Sequence, residues 1–355
     1  MPGKPLEELE REYGITDSIK LASNENPLGC GERARAAMRA AIENVGLYPD
    51  GSGFTLKRAL ARKHGCAPEC ITLGNGSNDV LVMLAEAYLE PGVEAVYSQY
   101  CFAIYPIATQ ATGATGREAK ALPIGHEQAY GHDVDAMHAL IGPRTRIVFI
   151  ANPNNPTGNW IDGEHLERFI ASVPKDVLVV VDEAYIEYVT DPRFQAADRW
   201  LSRYSNLVVT RTFSKAYGLA GLRVGYALSH PEVADFLNRV RQPFNVNSIA
   251  LAAATAALED EAHLRATVTS NTAGMQQVRD GLAALGVPCL PSQGNFVLAD
   301  VGRPAGSVYE AMLKQGVIVR PVGAYGLPQH LRITIGTAPQ NARMLTALEQ
   351  ALFSR

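Results

Sequence analysis

Short apolar runs alternate with amphipathic stretches through the middle of this sequence, and that alternation constrains the fold more than any other feature. The runs are Cys70–Leu73, Glu94–Tyr97, Arg146–Ile150, Val177–Val181, Leu207–Thr210 and Val224–Leu228. Several are continuously apolar and bounded by Gly, Pro, Asn or Asp, as a strand buried on both faces should be. Between them, Asn78–Leu89 and Asp162–Ser172 carry apolar residues at helical spacing. Strands and helices alternating at this interval predict an α/β fold with a mostly parallel central sheet covered by helices.

After Pro243 the texture changes. Asn247–Leu285 is Ala-rich and helical, with Gly274 and Gly281 as its weak points. A strand over Asn295–Val301, a helix near Ser307–Lys314, strands Val317–Val322 and Leu331–Ile335 and a closing helix from Gln340 complete a smaller α+β unit. The 355 residues exceed what one core usually holds, so two domains are expected. Residues 30–243 form the large one. Residues 1–29 join 244–355 in the small one, because the first segment precedes the sheet and has little strand signal.

Composition removes several functional classes. The net charge is −4, from 36 acidic and 32 basic residues that are interspersed, unlike the basic footprint of a nucleic-acid binder. No run of 18 apolar residues exists, and MPGKPLEELEREYG is charged where a signal peptide would be apolar. A soluble cytoplasmic protein without membrane or nucleic-acid partners is expected. Cys30, Cys66, Cys70, Cys101 and Cys289 are odd in number and complete no zinc set, so reduced cysteines and no metal are expected.

The segment Thr210-Arg-Thr-Phe-Ser-Lys-Ala-Tyr-Gly-Leu-Ala-Gly-Leu-Arg-Val-Gly-Tyr226 is the most informative. Most lysines lie on surface loops, but Lys215, one of eight in the chain, is embedded in apolar, Gly/Ala-rich sequence. Desolvation there favours the neutral, nucleophilic amine. Ser214 and Arg223 suit the oxygens of a phosphate. In Val179-Val-Val-Asp-Glu-Ala-Tyr185 the acid Asp182 directly follows a strand, at the sheet edge where ligands of α/β proteins bind. A helix N-cap is its plainer role. Its functional role is to pair with a cofactor ring nitrogen, with Tyr185 three residues on facing a ring oxygen.

Three further segments contribute. Ala151-Asn-Pro-Asn-Asn-Pro-Thr-Gly158 is a turn by composition, and one stiff enough to fix the Asn155 amide in space. Leu73-Gly74-Asn-Gly76-Ser77-Asn78-Asp79 follows a strand and opens a helix, so it is either a plain βα turn or, through its free backbone N–H groups and helix dipole, an anion site. It is no dinucleotide fingerprint, since Asp79 stands where the third glycine belongs. Tyr100, Phe102 and Tyr105 form an aromatic cluster, read first as core packing and second as a platform for a planar ligand.

Together these segments resemble the fold-type I aminotransferases, and among them the histidinol-phosphate aminotransferase family. LASNENPLG, LYPDGSG, GNGSND, NPNNPTG, VVDEAYIEY, RTFSKAYGLAGLRVGY, SQGNFVLADV, VIVRPVGAYG and HLRITIGT occur in order along nearly the whole chain. The resemblance implies pyridoxal 5′-phosphate as cofactor, carried by Lys215, which also moves the substrate α-proton. It implies Asp182 at the ring nitrogen, Tyr185 and Asn155 at the phenolic oxygen and Phe102 stacked on the ring. Many relatives have Tyr at that last position. The phosphate would rest on Ser77 and Asn78, with Thr212, Ser214 and Arg223. Tyr48 would reach the phosphate of a neighbouring subunit, making a homodimer with active sites at the interface. Arg332 and Arg320 would bind the anionic groups of substrate, with Asn24 and Glu25 near it. An arginine in the apolar strand around Arg332 independently calls for an anionic partner.

The implied reaction has two halves: glutamate donates its amino group and leaves as 2-oxoglutarate, and imidazole-acetol phosphate accepts it to become L-histidinol phosphate. Ping-pong kinetics and a place in histidine biosynthesis follow. The same chemistry on aromatic amino acids is the nearest alternative. A decarboxylase acting on threonine phosphate would share Lys215 and Asp182. A transcription regulator with an aminotransferase-like domain would need a DNA-binding domain, and only twenty residues precede LASNENP.

Overall fold

The computed structural model describes residues 5–353. The extreme ends of the expected small domain, residues 1–4 and 354–355, lie outside the described residues. In chain order the elements are α1 (Leu6–Tyr13), β1 (Ile19–Lys20), α2 (Glu32–Ala41), α3 (Phe54–His64), β2 (Ile71–Gly74), α4 (Ser77–Tyr88), β3 (Glu94–Ser98), α5 (Ile104–Ala111) and β4 (Thr115–Ala119). There follow α6 (Val134–His138), β5 (Thr145–Ala151), α7 (Gly163–Ser172), β6 (Leu178–Asp182), β7 (Leu207–Thr212), β8 (Gly225–Ser229) and α8 (Pro231–Val240). The last part contains α9 (Ser248–Leu258), α10 (Glu261–Ala284), β9 (Phe296–Asp300), α11 (Ala305–Leu313), β10 (Val317–Ile318), β11 (Arg320–Pro321), β12 (His330–Thr334) and α12 (Ala338–Phe353).

Seven strands form the main sheet in the order β2-β8-β7-β6-β5-β3-β4. Neighbours from β7 to β4 run parallel, while β8 is antiparallel to both β7 and β2. Hence β2 runs in the direction of β5, β6 and β7, and all four deliver their C-terminal ends to one edge. The six expected apolar runs all form strands here. β4 was not expected from its sequence: TGREA is an edge strand whose residues are mostly exposed, so it carries no apolar run. The central strands are buried, save Arg146 near the start of β5, because apolar layers cover both faces. One layer includes Leu166, Phe213 and Ala250, the other Leu84, Tyr105 and Phe149.

Two expectations beyond Pro243 are corrected. The helical stretch Asn247–Leu285 is two helices, and the break falls at Glu259–Asp260 rather than at a glycine. The Asp260 carboxylate accepts the His263 N–H and so starts α10. Gly274 and Gly281 sit inside α10, where a Cβ would strike Ile335 at 2.6 Å and Leu345 at 2.3 Å. Close helix packing, not a break, accounts for them. The single strand expected over Val317–Val322 is split, because β10 pairs with β1 and β11 turns away to pair with β12. The sheet β11-β12-β9 packs against α10, α11 and α12 around Val278, Met312 and Leu348. α9 follows Pro243 in sequence, yet its Ala250, Ala253, Ala254 and Ala257 join the main core beside α2 and α3.

Candidate active site

The site lies where the sheet reverses its winding. β3 and β5 are neighbours, but the chain leaves β3 outward to β4 and leaves β5 the other way to β6. Such a crevice, at the carboxyl ends of the strands, is where α/β sheets bind ligands. Here it is a cavity of about 270 Å³. Its walls include Ser23, Glu25, Ser77, Asn78, Phe102, Asn155, Asp182, Tyr185, Thr212, Ser214, Lys215 and Arg223. These come from six separate segments of the sequence.

β6 ends at Asp182, which is 4% exposed. Thr210 Oγ1 donates to its Oδ1 at 2.9 Å and Tyr105 Oη donates to its Oδ2 at 3.1 Å. Burial pushes the Asp182 pKa up to about 6, against these two hydrogen bonds and the charge of Lys215. The Lys215 amine is brought down to about 7, chiefly by burial and then by the charge of Arg332. It donates to the backbone carbonyl of Ser23 at 3.0 Å. Near neutral pH the site therefore offers an amine that is neutral in a large fraction of molecules, beside a carboxylate that is ionised in most.

Tyr185 Oη accepts from Asn24 Nδ2 at 2.9 Å, which leaves the phenolic proton free to point into the cavity. Burial pushes this phenol up to about 12, so it stays a donor. The three asparagines of the 151–158 turn divide their work. Asn152 ties the turn to Ile161, and Asn154 ties it to Tyr100 and Thr157. Asn155 alone lines the cavity, and its Oδ1 accepts from Arg332 Nη1 at 2.6 Å. Its Nδ2 is the end that can donate to a ligand.

At the other end of the cavity α4 begins, directly after Gly76 at φ +88°. A Cβ on Gly76 would stand 2.4 Å from Arg223 Nη2, and one on Gly225 would stand 2.3 Å from the Ser77 nitrogen. These glycines let the guanidinium and the helix N-terminus approach the same space. Arg223 Nη1 also donates to Ser214 Oγ at 3.3 Å, and the Ser214 N–H donates to Thr212 Oγ1 at 3.1 Å. Backbone N–H groups, a hydroxyl and a guanidinium converging at a helix start match an oxyanion such as a phosphate.

The expected cofactor fits this donor set. It requires an amine, a carboxylate for a ring nitrogen, a donor for a ring oxygen, an apolar face and an anion cradle. Lys215, Asp182, Tyr185, Phe102 and the Ser77–Arg223 cradle provide these around one cavity.

The remaining expected residues lie outside the cavity wall. Arg332, on β12, is 6% exposed, and its Nη2 donates to the Ala22 carbonyl at 2.6 Å. Its buried Nε has no partner. Arg320 is its register partner across the antiparallel pair β11–β12, which places two cationic residues side by side. Asn24 touches the site through Tyr185. Tyr48 is 83% exposed and stacks on Phe244 at 4.8 Å, away from the cavity of its own chain. Sequence reasoning missed the Ser23 carbonyl and the hydroxyls of Tyr105 and Thr210. A carbonyl leaves no sequence signal, whereas Thr210 could have been found from its place opposite Asp182 in parallel strands.

Among the described residues no helix is long and apolar enough to cross a membrane, no acidic, His or Cys cluster is placed to hold a metal ion, and the five cysteines are free. Residues 16–348 match the family model for aminotransferase class I and II. Histidinol-phosphate aminotransferase 2 of Pseudomonas aeruginosa is 56% identical over 354 residues, spanning 99% of this chain and 94% of that protein. Histidinol-phosphate aminotransferase 2 of Methylococcus capsulatus is 54% identical over 351 residues, spanning 99% and 95%. Among solved structures, histidinol-phosphate aminotransferase from Sinorhizobium meliloti in complex with pyridoxal-5′-phosphate superimposes with a TM-score of 0.91 at 30% identity, covering 100% of this chain and 96% of that one. The chain thus belongs to the class I and II aminotransferases and, within them, to the histidinol-phosphate aminotransferase family.

Proposed function

We propose that this enzyme exchanges an amino group between L-histidinol phosphate and 2-oxoglutarate, giving imidazole-acetol phosphate and L-glutamate, as a step of histidine biosynthesis. The observation that carries the reading is identity above 50% along the whole chain to proteins bearing that name. Pyridoxal 5′-phosphate, when bound, supplies an electron-withdrawing ring that takes up the charge left by the departing α-proton. The chain's own residues do the rest. Lys215, its pKa brought down to about 7 by burial, would take the proton from the substrate α-carbon and return it two atoms away, to the cofactor carbon across the transferred nitrogen. Asp182 keeps a proton on the ring nitrogen, and Tyr185 and Asn155 donate to the ring oxygen. Phe102 covers the ring. The α4 N-terminus, with Ser214 and Arg223, anchors the phosphate, while Thr212 orients Ser214.

Arg332 and Arg320 receive the anionic groups of the two substrates, with Asn24 and Glu25 on the same side. The unpartnered Nε of Arg332 supports this assignment, because a buried donor left unmade costs about 1–3 kcal/mol until a ligand accepts from it. A homodimer belongs to the same reading. Ile42, Val45, Leu47, Tyr48, Phe54 and Phe244 are all exposed, and five of them fall within thirteen residues of chain. A second copy would cover this apolar surface and bring Tyr48 to its neighbour's phosphate site. The free cysteines are consistent with the cytoplasm as the site of action.

The test is amino transfer to 2-oxoglutarate from L-histidinol phosphate and from L-phenylalanine, each measured as glutamate formed. The proposal expects kcat/KM to favour the phosphorylated donor by about 100-fold or more, given the lost charge-assisted contacts. Preference for phenylalanine would leave the chemistry and change the substrate. Carbon dioxide release would indicate a decarboxylase.

A further inference from the structure

Tyr105 lies in the first turn of α5, three residues after Phe102, and is fully buried. Its ring stacks on Phe149 with centroids 4.9 Å apart and planes 7° apart, and it meets the edge of Phe102 at 5.9 Å. Clamped in this way, the ring can send its hydroxyl in one direction, to Oδ2 of Asp182. The layer around it is otherwise apolar, built from Leu81, Leu84, Ala95, Phe149 and Val180. Phenylalanine would fill the same space without a buried hydroxyl to satisfy. The hydroxyl therefore calls for an explanation beyond packing.

We propose that Tyr105 is a positioning residue for amino transfer: its hydroxyl holds the Asp182 carboxylate in the orientation and charge state that keep a proton on the cofactor's ring nitrogen. This rests on the assignment of Asp182 made above. Thr210 donates to Oδ1 and Tyr105 to Oδ2, so each oxygen has one neutral donor and the outward lone pairs face the cavity. Both donors favour the ionised carboxylate. One proton is shared between the carboxylate and the ring nitrogen, and a donor on the carboxylate shifts it toward nitrogen. The titratable groups facing Tyr105 are Asp182, Cys101 and Tyr185. Burial holds Cys101 and Tyr185 neutral, so among the described residues Asp182 is the anion that the hydroxyl meets.

The test uses cofactor-loaded protein carrying pyridoxal phosphate labelled with ¹⁵N in the ring. The ring-nitrogen resonance is followed against pH in wild type, Tyr105→Phe and Asp182→Asn. Where the pair holds one proton, Tyr105→Phe is expected to lower the ratio of protonated to unprotonated ring nitrogen about tenfold, read from the shift of that resonance. It should lower kcat with little change in the KM of the amino donor. Asp182→Asn is expected to move the same resonance further toward its unprotonated value. If Asp182→Asn shifts it and Tyr105→Phe does not, Tyr105 is only a packing residue and the proposal fails. If Asp182→Asn itself leaves the resonance unmoved, the assignment of Asp182 fails first. Should Tyr105→Phe not fold, a ring-fluorinated tyrosine at position 105, a stronger donor of nearly the same shape, must move the resonance toward its protonated value. No such move would overturn the proposal.

Discussion

Asp182 and Glu183 are neighbours in sequence, both buried, and opposite in kind. Strand alternation sends Asp182 toward the cavity and Glu183 to the other face of the sheet. The facing strand β7 alternates in step, with Thr210 and Thr212 on the cavity side and Arg211 behind. Behind the sheet, Glu183 and Arg211 are paired with each other. Glu183 Oε2 accepts from Arg211 Nε and Nη2 at 3.0 and 2.7 Å, and its Oε1 accepts the Ala197 N–H at 2.6 Å. Arg211 also meets Asp198 at 3.1 Å, and His64 bridges Asp198 and Tyr226. In front, Asp182 has only neutral donors in hydrogen-bond contact, Lys215 rests on a backbone carbonyl, and Arg332 has a free Nε. The Glu183–Arg211–Asp198 set is paired within the protein; the front set is arranged around something still to come.

The largest expected effect breaks the front cluster functionally. Lys215→Ala should lower kcat by about 10³–10⁴-fold or more, the scale of a lost general base, while the cofactor-free chain melts no lower than wild type. The check pairs steady-state kinetics with a thermal melt. Next comes the rear cluster. Arg211→Met leaves Glu183 buried and unpaired, and should cost about 3–5 kcal/mol of stability in denaturant unfolding. Adding Glu183→Leu should restore a large part of that loss, since removing both charges removes the desolvation penalty. Loss of stability with no recovery in the double variant would mean that the rear pair does more than satisfy itself.

The pH responses of the two clusters should run in opposite senses. Asp182 has a folded pKa raised to about 6 by burial. Its contribution is fully present below the unfolded value of about 3.9 and is lost as pH rises through 6. The melting temperature of cofactor-free Asp182→Asn should therefore gain on wild type from about pH 4 to 6 and hold level above. At Asp198 burial acts to raise the pKa, but the His64 hydrogen bond and the Arg211 charge outweigh it and hold the carboxyl at about 2. That contribution is present above the unfolded value and is lost as pH falls through 2. Asp198→Asn should thus lose stability relative to wild type at neutral pH, by an amount that shrinks below about pH 4. The smallest effect expected is that of Tyr48→Phe. It should leave each chain's fold unchanged and weaken cofactor retention by about 3–10-fold, the scale of one ordinary hydrogen bond, read by dialysis.

The sequence makes the front cluster more legible than the rear one. Asp182, Lys215, Ser77 and Asn155 each follow an apolar run, and a parallel sheet gathers the ends of such runs at one edge. Glu183 and Arg211 sit beside those residues without drawing notice, because nothing in a linear reading says that two distant charges will meet behind a sheet. Tyr105 reads as core in the sequence, which its packing supports. Its hydroxyl acquires meaning only once β6 and α5 are seen together. β4 escaped because an exposed edge strand lacks the apolar pattern, and the split between β10 and β11 escaped because partner choice is a tertiary fact.

The contrast between adjacent acids is tested most directly by titrating pyridoxal 5′-phosphate into cofactor-free wild type, Asp182→Asn and Glu183→Gln at pH 8. The account expects cofactor affinity to fall at least about tenfold in Asp182→Asn, a loss of about 1.4 kcal/mol, and to stay within about threefold in Glu183→Gln, which should instead melt lower. Equal cofactor affinity in wild type and Asp182→Asn, or a larger loss at Glu183, would contradict it.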